Sequence, residues 1–91
     1  MLRAVRINVS GLVQGVGFRY CTVLSAQKYH IKGYVKNEPD GSVTAVAQGE
    51  EEMLAKFITE VKRSPSPVGR VDQYHITDIS PDEYTRFSVR Y

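Results

Sequence analysis

The densest chemistry in the chain lies in nine residues, Gly11-Leu12-Val13-Gln14-Gly15-Val16-Gly17-Phe18-Arg19. Three glycines within seven positions let successive backbone N–H groups turn into one concavity. The residues that follow have helical periodicity, and a helix N-terminus adds partial positive charge to whatever sits in front of it. Arg19 brings a permanent, planar cation with five donors to the same place. Loop, helix start and arginine together describe an oxyanion site of about phosphate size. Taken singly, each feature has a plainer explanation. The glycines can serve tight-turn geometry alone. Arg19 can be a surface cation, although a cation at a helix N-terminus opposes the dipole unless something anionic relieves it. A second polar residue, Asn37, can simply precede a turn, unless the fold brings it to the same loop.

Residues 3–10 alternate, with Val5, Ile7 and Val9 on one face and Ala4, Arg6, Asn8 and Ser10 on the other, the period of a half-buried strand. The glycine-rich loop is expected to open at Gly11. From Phe18 to about His30 the pattern is helical, with Tyr20, Val23, Leu24 and Gln27 on one face and Ile31 following. Gly33 is expected either to cap this helix or to open the next strand. Extended runs at 33–37 and 42–48 flank Glu38-Pro39-Asp40-Gly41. That is a hairpin turn: proline presets φ, aspartate bonds nearby backbone, and glycine takes a positive φ. Residues 50–63 form the clearest helix, with Met53, Leu54, Phe57, Ile58 and Val61 in one amphipathic stripe. Its acidic start and its Lys62-Arg63 end both suit the helix dipole. Ser64-Pro65-Ser66-Pro67 stops it. Two further extended stretches, near 70–77 and 86–91, are separated by Ser80-Pro81-Asp82-Glu83.

The order is β-α-β-β-α-β with an additional C-terminal strand. It predicts an α+β, ferredoxin-like α/β sandwich, two helices packed on one face of a mainly antiparallel sheet. In such a split unit the first and second strands run parallel, with one strand between them. The loop after the first strand and Asn37 at the end of the second then reach the same end of the sheet. Strand spacing puts them roughly 10 Å apart at the backbone. Side chains from both can meet over one small ligand.

Composition sets the outer bounds. Ninety-one residues make a single domain, 1–91. With 42% hydrophobic and 24% charged residues, the chain is too apolar to be disordered. No run approaches the ~20 apolar residues of a membrane span. Residues 1–6 also lack the apolar stretch of a signal peptide. One cysteine, Cys21, excludes an internal disulfide framework, and a cytoplasmic monomer is expected. His30, His75 and Cys21 have no metal-ligand spacing, so neither a metal nor another cofactor is expected. Cys21 has no recognisable base beside it, which argues against a nucleophile. A net charge of +2 is weak for nucleic acid. The third strand carries Thr44, Val46 and Gln48 on one face and alanines on the other. RNA-binding sheets of this fold instead present aromatic residues. A nucleic-acid module is therefore the weaker alternative, and no membrane partner is expected.

The loop at 11–19 resembles the first signature of the acylphosphatases. Gly33-Tyr34-Val35-Lys36-Asn37, followed by Gly41, Val43 and Gly49, resembles the second, and Phe87-Ser88-Val89-Arg90-Tyr91 is similar to the family's ending. The resemblance spans the whole chain. It implies hydrolysis of acyl phosphates, the mixed anhydrides of a carboxylic acid and phosphate, on a ferredoxin-like fold. It also implies roles: Gln14, Gly15, Val16, Gly17, Phe18 and Arg19 cradle the phosphoryl group, Arg19 binds it, and Asn37 orients the attacking water. No metal and no phosphoenzyme are implied. The chain departs from the pattern twice. Tyr34 stands where many members have tryptophan, and Ser64-Pro65-Ser66-Pro67 replaces a common lysine-glycine-proline run. The second departure leaves that loop's conformation open. A phosphate- or acyl-phosphate-binding module without turnover would keep the glycine loop, but it has less use for Asn37.

Overall fold

The computed structural model describes residues 1–91. Its elements are β1 (Leu2–Leu12), α1 (Phe18–Lys28), β2 (Lys32–Asn37), β3 (Val43–Glu50), α2 (Glu51–Arg63), β4 (Arg70–Ile79) and β5 (Phe87–Arg90). The five strands form one sheet in the order β4-β1-β3-β2-β5. Neighbours are antiparallel except β2 and β5, which are parallel. Two helices pack on this mixed sheet, as the predicted ferredoxin-like order requires. The register fixes the feature that matters for the site. Val43 of β3 pairs with Val9 of β1 on one side and with Asn37 of β2 on the other. The C-terminal ends of β1 and β2 thus lie together, two strand spacings or about 10 Å apart.

The core forms where alternating strand residues meet the helices. Val5, Ile7 and Val9 of β1, Val35 of β2 and the small Ala45 and Ala47 of β3 share one buried cluster with Leu54, Phe57 and Val61 of α2. Phe57 meets Phe87 of β5 edge-on, at 5.7 Å between ring centroids. The amphipathic stripe of α2 is thus the buried one, with Met53 and Ile58 at its margins. The other face of β3 is covered too. The Gln48 side-chain amide donates to the Asp82 carbonyl and accepts from the Asp82 N–H, both at 2.8 Å.

Helix α1 departs from the stripe expected of it. Its buried residues are Phe18, Thr22, Ser25 and Ala26, whereas Tyr20, Leu24 and Gln27 are exposed and Val23 is half-buried. The buried polar groups are satisfied. Thr22 donates to the Phe18 carbonyl at 2.7 Å, and Ser25 donates to Glu60 of α2 at 2.8 Å. A face of small, bonded side chains lets the helix settle on the sheet without a run of large apolar residues.

The boundaries also move. Gly11 belongs to β1, which continues to Leu12 past a bulge in its pairing with β4. Gly33 lies inside β2, and the chain leaves α1 through His30, whose φ is +57°. Both glycines mark close approaches between strands, since a Cβ would collide with the Arg70 carbonyl at the first and the Val46 carbonyl at the second. Helix α2 starts at Glu51, one residue later than expected. β4 runs on to Ile79, and β5 is confined to Phe87–Arg90.

Candidate active site

The loop after β1 turns into α1 through Gly17, whose left-handed backbone (φ +75°, ψ +18°) precedes the first helical residue. Gly15 has a similar φ of +77°, and open space lies where a side chain would project from either. The first bond of α1 runs from the Cys21 N–H to the Gly17 carbonyl at 3.0 Å. The amides of Phe18, Arg19 and Tyr20 therefore have no use inside the helix. The first turn of α1 carries no acidic residue, so its positive end is unopposed. Arg19 makes no ion pair with a carboxylate. Its guanidinium carbon instead lies 5.2 Å from the centre of the Tyr91 ring.

Asn37 ends β2 opposite this loop. Its side-chain Oδ1 is buried and has no hydrogen-bond partner. The turn beyond it is tightly tied. Glu38 N–H donates to the Ser42 carbonyl at 2.8 Å and Gly41 N–H to the Glu38 carbonyl at 3.1 Å. The Asp40 carboxylate accepts from the Ser42 hydroxyl at 2.6 Å and its N–H at 2.9 Å, and these bonds hold the carboxyl below its ordinary range. Gly41 takes the expected positive φ, +92°. Gln14 joins loop and turn: its side-chain Nε2 donates to the carbonyls of Glu38 and Ser42, both at 2.9 Å.

A cavity of about 400 Å³ brings Gly15, Gly17, Phe18 and Arg19 together with Asn37. Gln14 and Val16 do not line it. The Gln14 side chain lies on the hairpin, and Val16 packs against the core while its carbonyl accepts from the Ser66 hydroxyl at 2.6 Å. Ser66 is buried, so the Ser-Pro-Ser-Pro segment braces the loop from behind. The remaining lining comes from Val13, Tyr20, Val23, Ser88, Val89 and Tyr91. Of these, Val23 was within reach of sequence reasoning, since it follows Arg19 by one helical turn. The β5 residues were not, because nothing local says that β5 lies beside β2. His30, His75 and Cys21 are absent from the lining. No cluster of three His, Cys, Asp or Glu side chains has a metal-binding arrangement.

Fold and cavity together define a ferredoxin-like sandwich with a cationic, amide-lined mouth at the end of its first βα unit. Comparison with known proteins carries this further. Residues 5–89 match the acylphosphatase family. An acylphosphatase of Lactobacillus gasseri is 53% identical over 91 residues, 99% of this chain and 100% of that protein. One from Oceanobacillus iheyensis is 43% identical over the same shares. The crystal structure of acylphosphatase from Bacillus subtilis superimposes with a TM-score of 0.93, at 42% identity, over 100% of both chains. The chain belongs to the acylphosphatase family and hydrolyses acyl phosphates.

Proposed function

We propose that hydrolysis proceeds by direct attack of water on phosphorus, with the phosphoryl group held by Arg19 and the Gln14–Arg19 loop and the water oriented by Asn37. The observation that carries this reading is that Asn37 lines the same cavity as Arg19 and its side-chain Oδ1 has no hydrogen-bond partner. A buried acceptor left bare costs about 1–3 kcal/mol, so this one calls for a hydrogen-bond donor. A water between it and phosphorus supplies that donor and is held in place for attack. Arg19 and the free loop amides meet the negative charge on the phosphoryl oxygens. The leaving group is a carboxylate, with a pKa near ~4, and departs without a strong acid. Phosphoryl transfer through a loose transition state asks for little more.

No side-chain carboxylate, imidazole or thiol lines the cavity. The proton of the water accordingly passes to a phosphate oxygen of the substrate, a substrate-assisted route. Charge supplied by Arg19 and the backbone makes the scheme metal-independent. We further propose a monomer formed by one domain, 1–91, working in the cytoplasm without a nucleic-acid partner. The lone Cys21 and the net charge of +2 support this setting. No helix is long and apolar enough to cross a membrane.

The test is hydrolysis of benzoyl phosphate with chelator present, in water labelled with heavy oxygen. Arg19→Ala and Asn37→Ala are run beside the wild type, with folding checked by circular dichroism. Each variant is expected to lose about 10²–10³ in kcat, and the label to enter phosphate. Turnover that survives Asn37→Ala removes its role. Label in the carboxylate product overturns attack at phosphorus. A folded wild type that binds phosphate without turnover is a binding module.

A further inference from the structure

The Asn37 Oδ1 has no hydrogen-bond partner, so no bond on that atom fixes where it points. Its direction is left to the backbone at residues 37 and 38. Behind that backbone, on the sheet face turned away from the core, stands Asn8 of β1, directly opposite Thr44 of β3. Asn8 does not line the cavity. Asparagine is a poor strand residue, yet this one sits in the middle of an 11-residue strand. Its Nδ2 donates to the Ser42 hydroxyl at 3.0 Å and to the Thr44 hydroxyl at 3.1 Å. Each hydroxyl passes its own hydrogen on, Ser42 to the Asp40 carboxylate and Thr44 to the Glu38 carboxylate, both at 2.6 Å. These directions are forced. A carboxylate only accepts and a hydroxyl has one hydrogen, so the lone pairs of the two buried hydroxyls need a donor. The two hydrogens of one amide meet that need. The Asn8 oxygen turned the same way would face two oxygens whose hydrogens are already committed.

Both arms end on the turn that follows Asn37. Glu38 is the next residue in the chain, and its backbone is held as well: its N–H by Ser42, its carbonyl by Gly41 and Gln14. We infer that Asn8 is a positioning residue for hydrolysis: through the Ser42 and Thr44 hydroxyls it fixes the Asp40 and Glu38 carboxylates, and with them the turn that aims Asn37. The inference rests on the reading of Asn37 as the residue that orients the water. The network grips the Asn37 side of the cavity and not the Gly15–Arg19 side. Its loss therefore falls on kcat and spares phosphate binding.

Asn8→Asp keeps the shape of the side chain and removes both donors. The test compares it with the wild type, Asn8→Ala, Asn37→Ala and the double variants Asn8→Asp/Glu38→Gln and Asn8→Asp/Asn37→Ala. The readout is benzoyl phosphate hydrolysis with inorganic phosphate as competitive inhibitor, at a temperature where circular dichroism shows every variant folded. Asn8→Asp is expected to lower kcat about tenfold and Asn8→Ala several-fold, with the phosphate Ki changed by less than about twofold. Adding Glu38→Gln reverses the Thr44 arm, with the new amide donating to Thr44 and Thr44 to the new carboxylate. It is expected to raise kcat about threefold over Asn8→Asp alone. On top of Asn37→Ala, Asn8→Asp is expected to cost less than about twofold, because the residue it aims is already gone. If Asn8→Asp does not fold, Asn8→Ala carries the same comparisons of kcat, Ki and the Asn37→Ala background. An unaltered kcat overturns the inference, as do a phosphate Ki that rises in step with the fall in kcat, a double variant with Glu38→Gln no faster than Asn8→Asp, and a full loss that persists on top of Asn37→Ala. Slow turnover in Asn37→Ala with wild-type turnover in Asn8→Asp overturns this inference alone. Wild-type turnover in Asn37→Ala overturns the water-orienting reading and the inference with it.

Discussion

Gln14 gives the sharpest test of how the site is held together. Its side-chain amide makes two hydrogen bonds of 2.9 Å, to the carbonyls of Glu38 and Ser42, and so ties the loop before α1 to the turn after Asn37. Gln14→Met keeps most of the stem and removes both donors. Neither carbonyl is orphaned, because the Glu38 carbonyl keeps the Gly41 N–H and the Ser42 carbonyl keeps the Glu38 N–H. The loss is therefore two ordinary bonds at about 1 kcal/mol each, without a desolvation penalty, or about 2 kcal/mol in all. In a domain of this size that lowers Tm by roughly 8–16 °C. The catalytic consequence follows from position. With the tie gone, loop and Asn37 drift relative to each other, and a displacement near 1 Å costs up to about 10² in rate. The assay is a thermal melt beside steady-state hydrolysis of benzoyl phosphate, with inorganic phosphate as competitive inhibitor. A fall of roughly 10–10² in kcat is expected, with the Ki for phosphate little changed. If Tm holds and the phosphate Ki rises about tenfold, the side chain grips the phosphoryl group and the positioning argument is refuted.

Ser66→Ala removes the buried hydroxyl that donates to the Val16 carbonyl, and should cost about 1 kcal/mol in urea unfolding together with a several-fold fall in kcat. Unchanged kcat in a destabilised variant would show that the Ser-Pro-Ser-Pro brace serves the fold alone. Arg19→Lys keeps the charge but loses the planar fork, so kcat/KM should drop by about 10² while the phosphate Ki rises. Near-wild-type kinetics would mean that a point charge suffices. Glu60 supplies the pH dependence. Burial pushes its carboxyl upward, but hydrogen bonds from Lys28, Tyr29 and Ser25 outweigh this and hold it below its ordinary value of 4.5. Its contribution is present above that value and lost as pH falls through the lower, folded one. Between pH 6 and pH 3 the wild type should lose about 1 kcal/mol more stability than Glu60→Gln. Parallel curves for the two would remove Glu60 from the acid response.

The parts of the site that could be read from sequence share a physical character. The glycine loop, the hairpin at 38–41 and the proline stop after α2 act over a few residues, through backbone conformations that particular residue types favour. The meeting of Arg19 with Asn37 was legible at longer range, because a split βαβ unit leaves little choice about where two parallel strands end. Gly11 misled for the converse reason, and Gly33 left two readings open, of which the strand is the one found. A glycine set in a strand for close approach has the same letter as one set in a turn, and only the opposing carbonyl of Arg70 or Val46 tells them apart. The bracing bonds of Gln14 and Ser66 span 24 and 50 positions in sequence, and no local pattern announces such a partner.

Helix α1 was misread for a reason that bears on the chemistry. A stripe search assigns apolar residues at helical spacing to the core, and Tyr20, Val23 and Leu24 fit that search. The face that settles on the sheet is Phe18, Thr22, Ser25 and Ala26, whose buried hydroxyls find partners on Phe18 and Glu60. That choice leaves Tyr20 exposed and Val23 half-buried against the core, and both line the cavity beside Arg19. The poor stripe of α1 and the apolar side chains it lends the cavity are therefore one feature. Phe18 and Val23 keep part of the helix's apolar contact with the core, while small bonded side chains and the Glu60 tie to α2 hold the helix in place.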